Sequence, residues 1–205
     1  MKKLDLKKEL RELYSAKREA SIVLVPKQKI IAVEGQGDPN TSQEFQNAVE
    51  ALFPVAFKIK FASKKQLDRD YVVMPLEGLW WTDDMENFSV KNKEGWNWKV
   101  FIVQPDFITK DLFEQAIEDV LKAKKPKAIS KIKFDFLEEK KAAQILHVGP
   151  YSQEGPTIEK LHDYIANSGF TFDGVMQKHH EIYLSDMRKT APAKFKTIIR
   201  QPVAV

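Results

Sequence analysis

Along this chain the spacing of apolar residues switches several times between a helical and a strand-like period, and the switches recur in the same order. Leu6, Leu10, Leu13 and Tyr14 fall at three- and four-residue spacing, which predicts an amphipathic helix within residues 1–19. "SIVLVPKQKIIAVEG" then reads as two apolar runs around a polar turn, a hairpin pattern, and "GQGDPN" as a loop. Thr41 and Glu44 suit a capping box for a helix carrying Phe45, Val49, Leu52, Ala56 and Ile59 on one stripe, with a kink expected at Pro54. "YVVMPLEGLWW" (71–81) and "WNWKVFIVQP" (96–105) read as strands.

The second half replays this order. "KIKFDFLEEKKAAQILHVG" is again two strand-like runs around a polar turn. "GPYSQEGP" leads into a helix with Ile158, Leu161 and Ile165 on one face and Gly169 as its stop. A strand over 179–186 and a last one ending "IIRQPV" follow. The echoes reach identity in places: "IVQP" (102–105) against "IRQP" (199–202), Gly35 against Gly149, and "EGLWWTDD" against "EIYLSD" to within one residue. The expected fold is therefore α+β, a tandem pseudo-twofold repeat of strand–strand–helix–strand–strand units with antiparallel sheet. It forms a single domain over 1–205: an N-terminal helix (1–19), a first repeat (20–105), a linking helix (106–129) and a second repeat (130–205). The linking helix, near 109–124, buries Leu112, Phe113, Ala116, Ile117 and Val120.

Composition narrows the chemistry. With 43% apolar and 30% charged residues in 205, the chain can bury a substantial core, and no apolar run reaches membrane-spanning length. "MKKLDLKKELREL" has no apolar segment and does not read as a signal peptide. The lack of cysteine removes disulfides, thiolate metal sites and a cysteine nucleophile and fits a reducing compartment, so the expected location is cytoplasmic. The net charge of +4 is dispersed; its densest run, "KAKKPK" (122–127), suits a helix C-terminus ended by Pro126. With no groove-reading or RNA-binding signature either, nucleic acid is not an expected partner.

The candidate chemistry centres on the strand "HHEIYLS". At period two, Ile182 and Leu184 share one face, and His179, Glu181, Tyr183 and Ser185 the other. Glu181 is either a structural glutamate bonded to His179 or a strand neighbour, an exposed one, or a carboxylate facing a ligand. Unpaired and buried, it would be costly and would have a raised pKa, suiting a general base. Trp80 and Trp81 are adjacent and diverge, so only one can line a cleft, whereas Trp96 and Trp98 share a face. They are either core aromatics or, with Tyr183, a stacking box for a flat ligand, with Tyr71 and Tyr151 as weaker members. His179 and His180 diverge and cannot chelate together, and His147 is a lone histidine, so neither a metal nor a cofactor is implied. There is no G-x-S-x-G elbow, and "GQGDPNTSQ" lacks the spacing and lysine of a phosphate loop.

The runs "DLKKELRELYSA", "VEGQGDPN", "FQNAVEALF", "LEGLWW", "WNWKVFIVQPDFIT" and "HHEIYLSDMRKTAP" resemble the GyrI-like small-molecule-binding proteins over nearly the whole chain. The resemblance implies a ligand cleft between the two repeats, faced by the glutamate that opens the "EIYL" motif, Glu181, and a flat, lipophilic ligand that is cationic in drug-sensing relatives. Some free-standing relatives hydrolyse cyclopropane-bearing DNA-alkylating compounds. Two readings follow. In one, the protein is a hydrolase in which Glu181 activates water, with Tyr183 beside it and Glu77 as the counterpart in the first repeat. In the other it is a non-catalytic sensor or sequestering protein, and Glu181 supplies only charge. An inhibitor of a partner protein follows only from the superfamily name, and the lack of a groove-reading module argues against a stand-alone activator. Oligomeric state is left open.

Overall fold

The computed structural model describes residues 3–83, 93–123 and 125–204. The N-terminal segment is not one helix but two short turns, α1 (Leu6–Glu9) and α2 (Arg11–Tyr14), broken at Leu10 with φ −102° and ψ 45°. The break turns Leu13 and Tyr14 inward, where both are buried.

Among the described residues eight strands follow the predicted order: β1 (Ser21–Val25), β2 (Gln28–Gln36), β3 (Glu77–Trp81), β4 (Asn97–Gln104), β5 (Lys133–Leu137), β6 (Lys140–Val148), β7 (His179–Tyr183) and β8 (Lys196–Pro202). They form one antiparallel sheet in the order β1-β6-β8-β7-β3-β4-β2-β5. Exchanging the first four strands with the last four reverses this order onto itself, which is the pseudo-twofold repeat. The expected hairpins are absent: β1 pairs with β6 and β2 with β5, so each repeat lends its first strand to the other. The register passes the break without a slip. Val25 faces Lys140 before it and Gln28 faces Leu137 after it, so the two interruptions, 26–27 and 138–139, lie opposite each other. Since two residues join an edge strand to the seventh in the order, the sheet must curl into a half-barrel.

Two strand predictions shorten. Of 71–81 only Glu77–Trp81 joins the ladder, Tyr71 making a single bridge to Leu4, and the 179–186 strand ends at Tyr183. Helix α3 (Gln43–Gln66) starts one residue later than expected, with Ser42 rather than Thr41 accepting from the Phe45 amide, and it continues through Pro54. Helix α4 (Lys110–Ala123) buries Leu112, Phe113, Ala116 and Val120 but only part of Ile117. Helix α5 (Gly155–Asn167) ends before Gly169, whose φ of +75° favours glycine.

Directly paired residues point to the same side of a sheet. One row across it runs Ile145, Ile199, Glu181, Gly78, Val100, Val33. Ile145 and Ile199 cluster with Leu161 and Ile165 of α5, while Val100 and Val33 belong to the core that α3 covers with Ala48, Leu52 and Val55. The middle of the row, Glu181 and Gly78, lies between the two helices.

Candidate ligand and catalytic site

Glu181 occupies that central position with its side chain 13% exposed, and its Oε1 is 3.2 Å from His179 Nε2. Burial pushes its pKa up, but the His179 hydrogen bond and charge, the neighbouring Tyr183 hydroxyl and the Lys93 ammonium outweigh it. The carboxyl is held below its ordinary value. This corrects the expectation of a raised pKa.

The raised pKa belongs to Glu154 instead. Glu154 sits just before the first residue of α5, is 5% exposed, and its Oε1 has no hydrogen-bond partner among the described residues. Burial first, then the charge of Glu181, push it up to about 9, with Thr197 and Lys93 opposing. At neutral pH one member of the pair is charged and the other neutral, a separation typical of acid and base roles. Sequence reasoning passed over Glu154 because an acid at a helix start is an ordinary dipole-favoured residue; only its burial sets it apart.

Tyr151 stacks edge-on against Tyr183 at 5.6 Å and lies 5.5 Å from Phe195. Burial and the two glutamates raise Tyr151 to about 12, and burial with Glu181 lifts Tyr183 well above its ordinary value, so both remain neutral hydroxyls. On the other flank Trp80 pairs across the ladder with His179 and Trp98, which fixes all three on the Glu181 face. The Trp80 indole lies over Gly78, where a Cβ would come within 3.1 Å of Nε1, and that Nε1 has no partner among the described residues. Trp96 packs 5.8 Å from Trp80, under the Lys93 ammonium 4.7 Å from its ring. Trp98 is fully buried, pressed over Gly35 at a spacing that leaves no room for a Cβ, with Phe45 edge-on at 5.3 Å.

The structure thus brings Glu181, Tyr183 and Tyr151 together and sets Trp80, backed by Trp96 and Trp98, on the same face. Trp81 takes the opposite face, with Lys178 over its ring at 4.2 Å. Tyr71 stands apart, bonded to Gln104 and edge-on to Phe107. Glu77 is not the register counterpart of Glu181: it pairs with Ile182, while Glu181 pairs with Gly78, so the two glutamates point to opposite faces. A surface hollow of about 360 Å³ between α3 and α4, lined by Phe53, Phe57, Phe61 and Val120, includes none of the Glu181 group.

The chain matches the GyrI-like small molecule binding domain over residues 18–204 and belongs to that family. It is similar to a crystal structure of an uncharacterized conserved protein from Listeria innocua, 40% identical, with a TM-score of 0.92 over 98% of this chain and 100% of that one. It is also similar to a hydrolase from Listeria innocua, 40% identical, TM-score 0.88, over 99% of this chain and 100% of that one. A second hydrolase structure from Listeria innocua is 39% identical, with TM-score 0.86 over 98% and 100% of the chains. The EcmrR C-terminal domain, 13% identical, shares the fold at TM-score 0.56 over 91% of this chain and 97% of that one. Among curated proteins no relative matches.

Proposed function

We propose that this small-molecule-binding protein holds a flat, lipophilic compound against Trp80 and the Tyr151–Tyr183 pair and hydrolyses it. In this reading Glu181 removes a proton from water as the water oxygen opens an electrophilic ring of the cyclopropane type. The observation that carries it is a largely buried carboxylate, kept charged by His179 and Tyr183, on the same sheet face as an aromatic wall. The hydrolases of 39–40% identity add support. A depressed pKa makes Glu181 a weaker base than a raised one would, but keeps it in the proton-accepting form at neutral pH. A cytoplasmic detoxifying role accompanies this reading; no helix among the described residues is long and apolar enough to cross a membrane.

Incubation with a cyclopropane-bearing alkylator, followed by mass spectrometry, tests it. The expected product carries one added water, and Glu181→Gln slows its formation roughly 10²–10⁴-fold, the usual range for a general base. Affinity for a neutral flat ligand stays the same, since stacking supplies it. A wild-type protein that forms no water adduct overturns hydrolysis. The same permanent charge on Glu181 favours a second reading, a non-catalytic receptor for lipophilic cations. There Glu181→Gln weakens cationic ligands selectively.

A further inference from the structure

We propose that Glu154 is the acid partner of Glu181, carrying the one proton that the two carboxylates share and giving it to the atom that departs when the ring opens. This rests on the hydrolytic reading above.

Its basis is the uneven partnering of two carboxylates in one cluster. Glu181 takes the histidine and a tyrosine hydroxyl from its own strand. Glu154 is 5% exposed with a bare Oε1, and its polar neighbour Thr197 does not offset its burial. A buried carboxylate oxygen with nothing to bond is expensive unless a proton or a ligand atom satisfies it. The groups around the pair are His179 and Tyr183 from β7, Thr197 from β8, Tyr151 from the turn before α5, and Lys93 from the segment before β4. Among the described residues the cationic group acting on Glu154 is Lys93, and its influence is smaller than that of burial and of Glu181. The pair therefore holds a proton, and Glu154 is where it sits.

The chemistry balances with one water. Glu181 accepts a proton from water as the oxygen bonds to the electrophilic carbon. The carbon's bond to its leaving atom breaks, the electron pair goes to that atom or the carbonyl conjugated with it, and Glu154 supplies the proton that neutralises the new anion. Glu181 is then neutral and Glu154 charged, and a proton passing from one to the other, by way of the Tyr183 hydroxyl or solvent, resets the site. The substrate class is an electrophile whose departing atom is too basic to leave as a free anion; one that leaves as a stable anion gains nothing from Glu154.

The test compares wild type, Glu154→Gln and Glu154→Asp on electrophiles graded by leaving-group basicity. For wild type, kcat/KM falls on the alkaline side as Glu154 loses its proton near pH 9. Glu154→Gln loses that limb and roughly 10²–10⁴-fold of the rate on basic leaving groups. On activated ones it loses little, Glu154→Asp recovers part of the rate, and affinity for a neutral flat ligand is unchanged. Full activity in Glu154→Gln, or an equal loss on every leaving group with the alkaline limb intact, overturns the proposal. No turnover by wild type on any substrate overturns the hydrolytic reading and the acid role with it. The proton itself is read separately: an infrared carboxylic-acid band present at neutral pH in wild type and missing in Glu154→Gln is expected, and no such band overturns the proton assignment even where turnover survives.

Discussion

Strand β7 carries buried charge on both of its faces, and the two clusters differ in how completely they are partnered. On the inner face His180 sits between Glu139 at 2.8 Å from Nδ1 and Glu77 at 3.0 Å from Nε2. Both ring nitrogens face carboxylate oxygens, so both donate and the ring is an imidazolium. Burial pushes the ring's pKa down, but the two glutamates outweigh it and hold it above the ordinary histidine value. Arg200 adds bonds to Gln144 at 3.1 Å and to the Leu13 carbonyl at 2.7 Å, and Tyr14 donates to Glu77 at 2.9 Å. Two carboxylates meet two cations, and the network ties the N-terminal turns to the sheet. On the outer face, one carboxylate, Glu181, meets the His179 ring, and the other, Glu154, leaves an oxygen bare. Saturated polarity of the first kind specifies a structure; unsaturated polarity of the second kind leaves valences for a ligand.

Three measurements can break or sharpen this contrast. The largest expected effect is on the inner face: His180→Leu leaves Glu77 and Glu139 without their shared cation and should cost about 3–5 kcal/mol in urea unfolding. A loss below about 1 kcal/mol would mean the network is not structural. Next is the pH dependence of the outer face. Folded Glu154 keeps its proton up to about 9, whereas an ordinary carboxyl loses it near 4.5. Between these values the unfolded chain binds fewer protons, so stability falls as pH rises through the window, and Glu154→Gln should flatten that slope in Tm measured across it. His180 also contributes stability that is lost as pH rises through its raised folded pKa, so the difference between wild type and Glu154→Gln isolates the glutamate. The smallest effect is Glu181→Gln, which exchanges one hydrogen-bonded acceptor for another of the same shape and should move unfolding by about 1 kcal/mol or less. A larger loss would place Glu181 among the structural glutamates.

Much of the fold was legible because duplication left matching punctuation, Gly35 with Gly149 and "IVQP" with "IRQP". The pairing was not. Pro26-Lys27 and Glu138-Glu139 look like turns between apolar runs, yet neither is a glycine-bearing pair of the kind a tight hairpin favours. Both runs instead continue along a common partner, and Glu139 at the interruption turns inward to His180 and Arg200. At the site, alternation correctly put Glu181, Tyr183 and His179 on one face and separated Trp80 from Trp81. It could not find Glu154, which reaches the cluster from the start of a helix, nor detect the one-residue offset that sends Glu77 to the other face. A single-residue slip in a period-two element is invisible in an approximate repeat and reverses every side chain.

The reciprocal loan of β1 and β5 has a consequence for how the molecule could be divided. A half-chain of residues 20–105 would keep β2, β3 and β4 but expose on β2 the edge that β5 now covers, and its own β1 would lack β6. Two such halves could satisfy each other only by trading first strands, as the halves do within one chain. The fold is in effect a strand-exchanged dimer whose two subunits have been spliced end to end, and cutting the splice would yield a dimer rather than two independent modules.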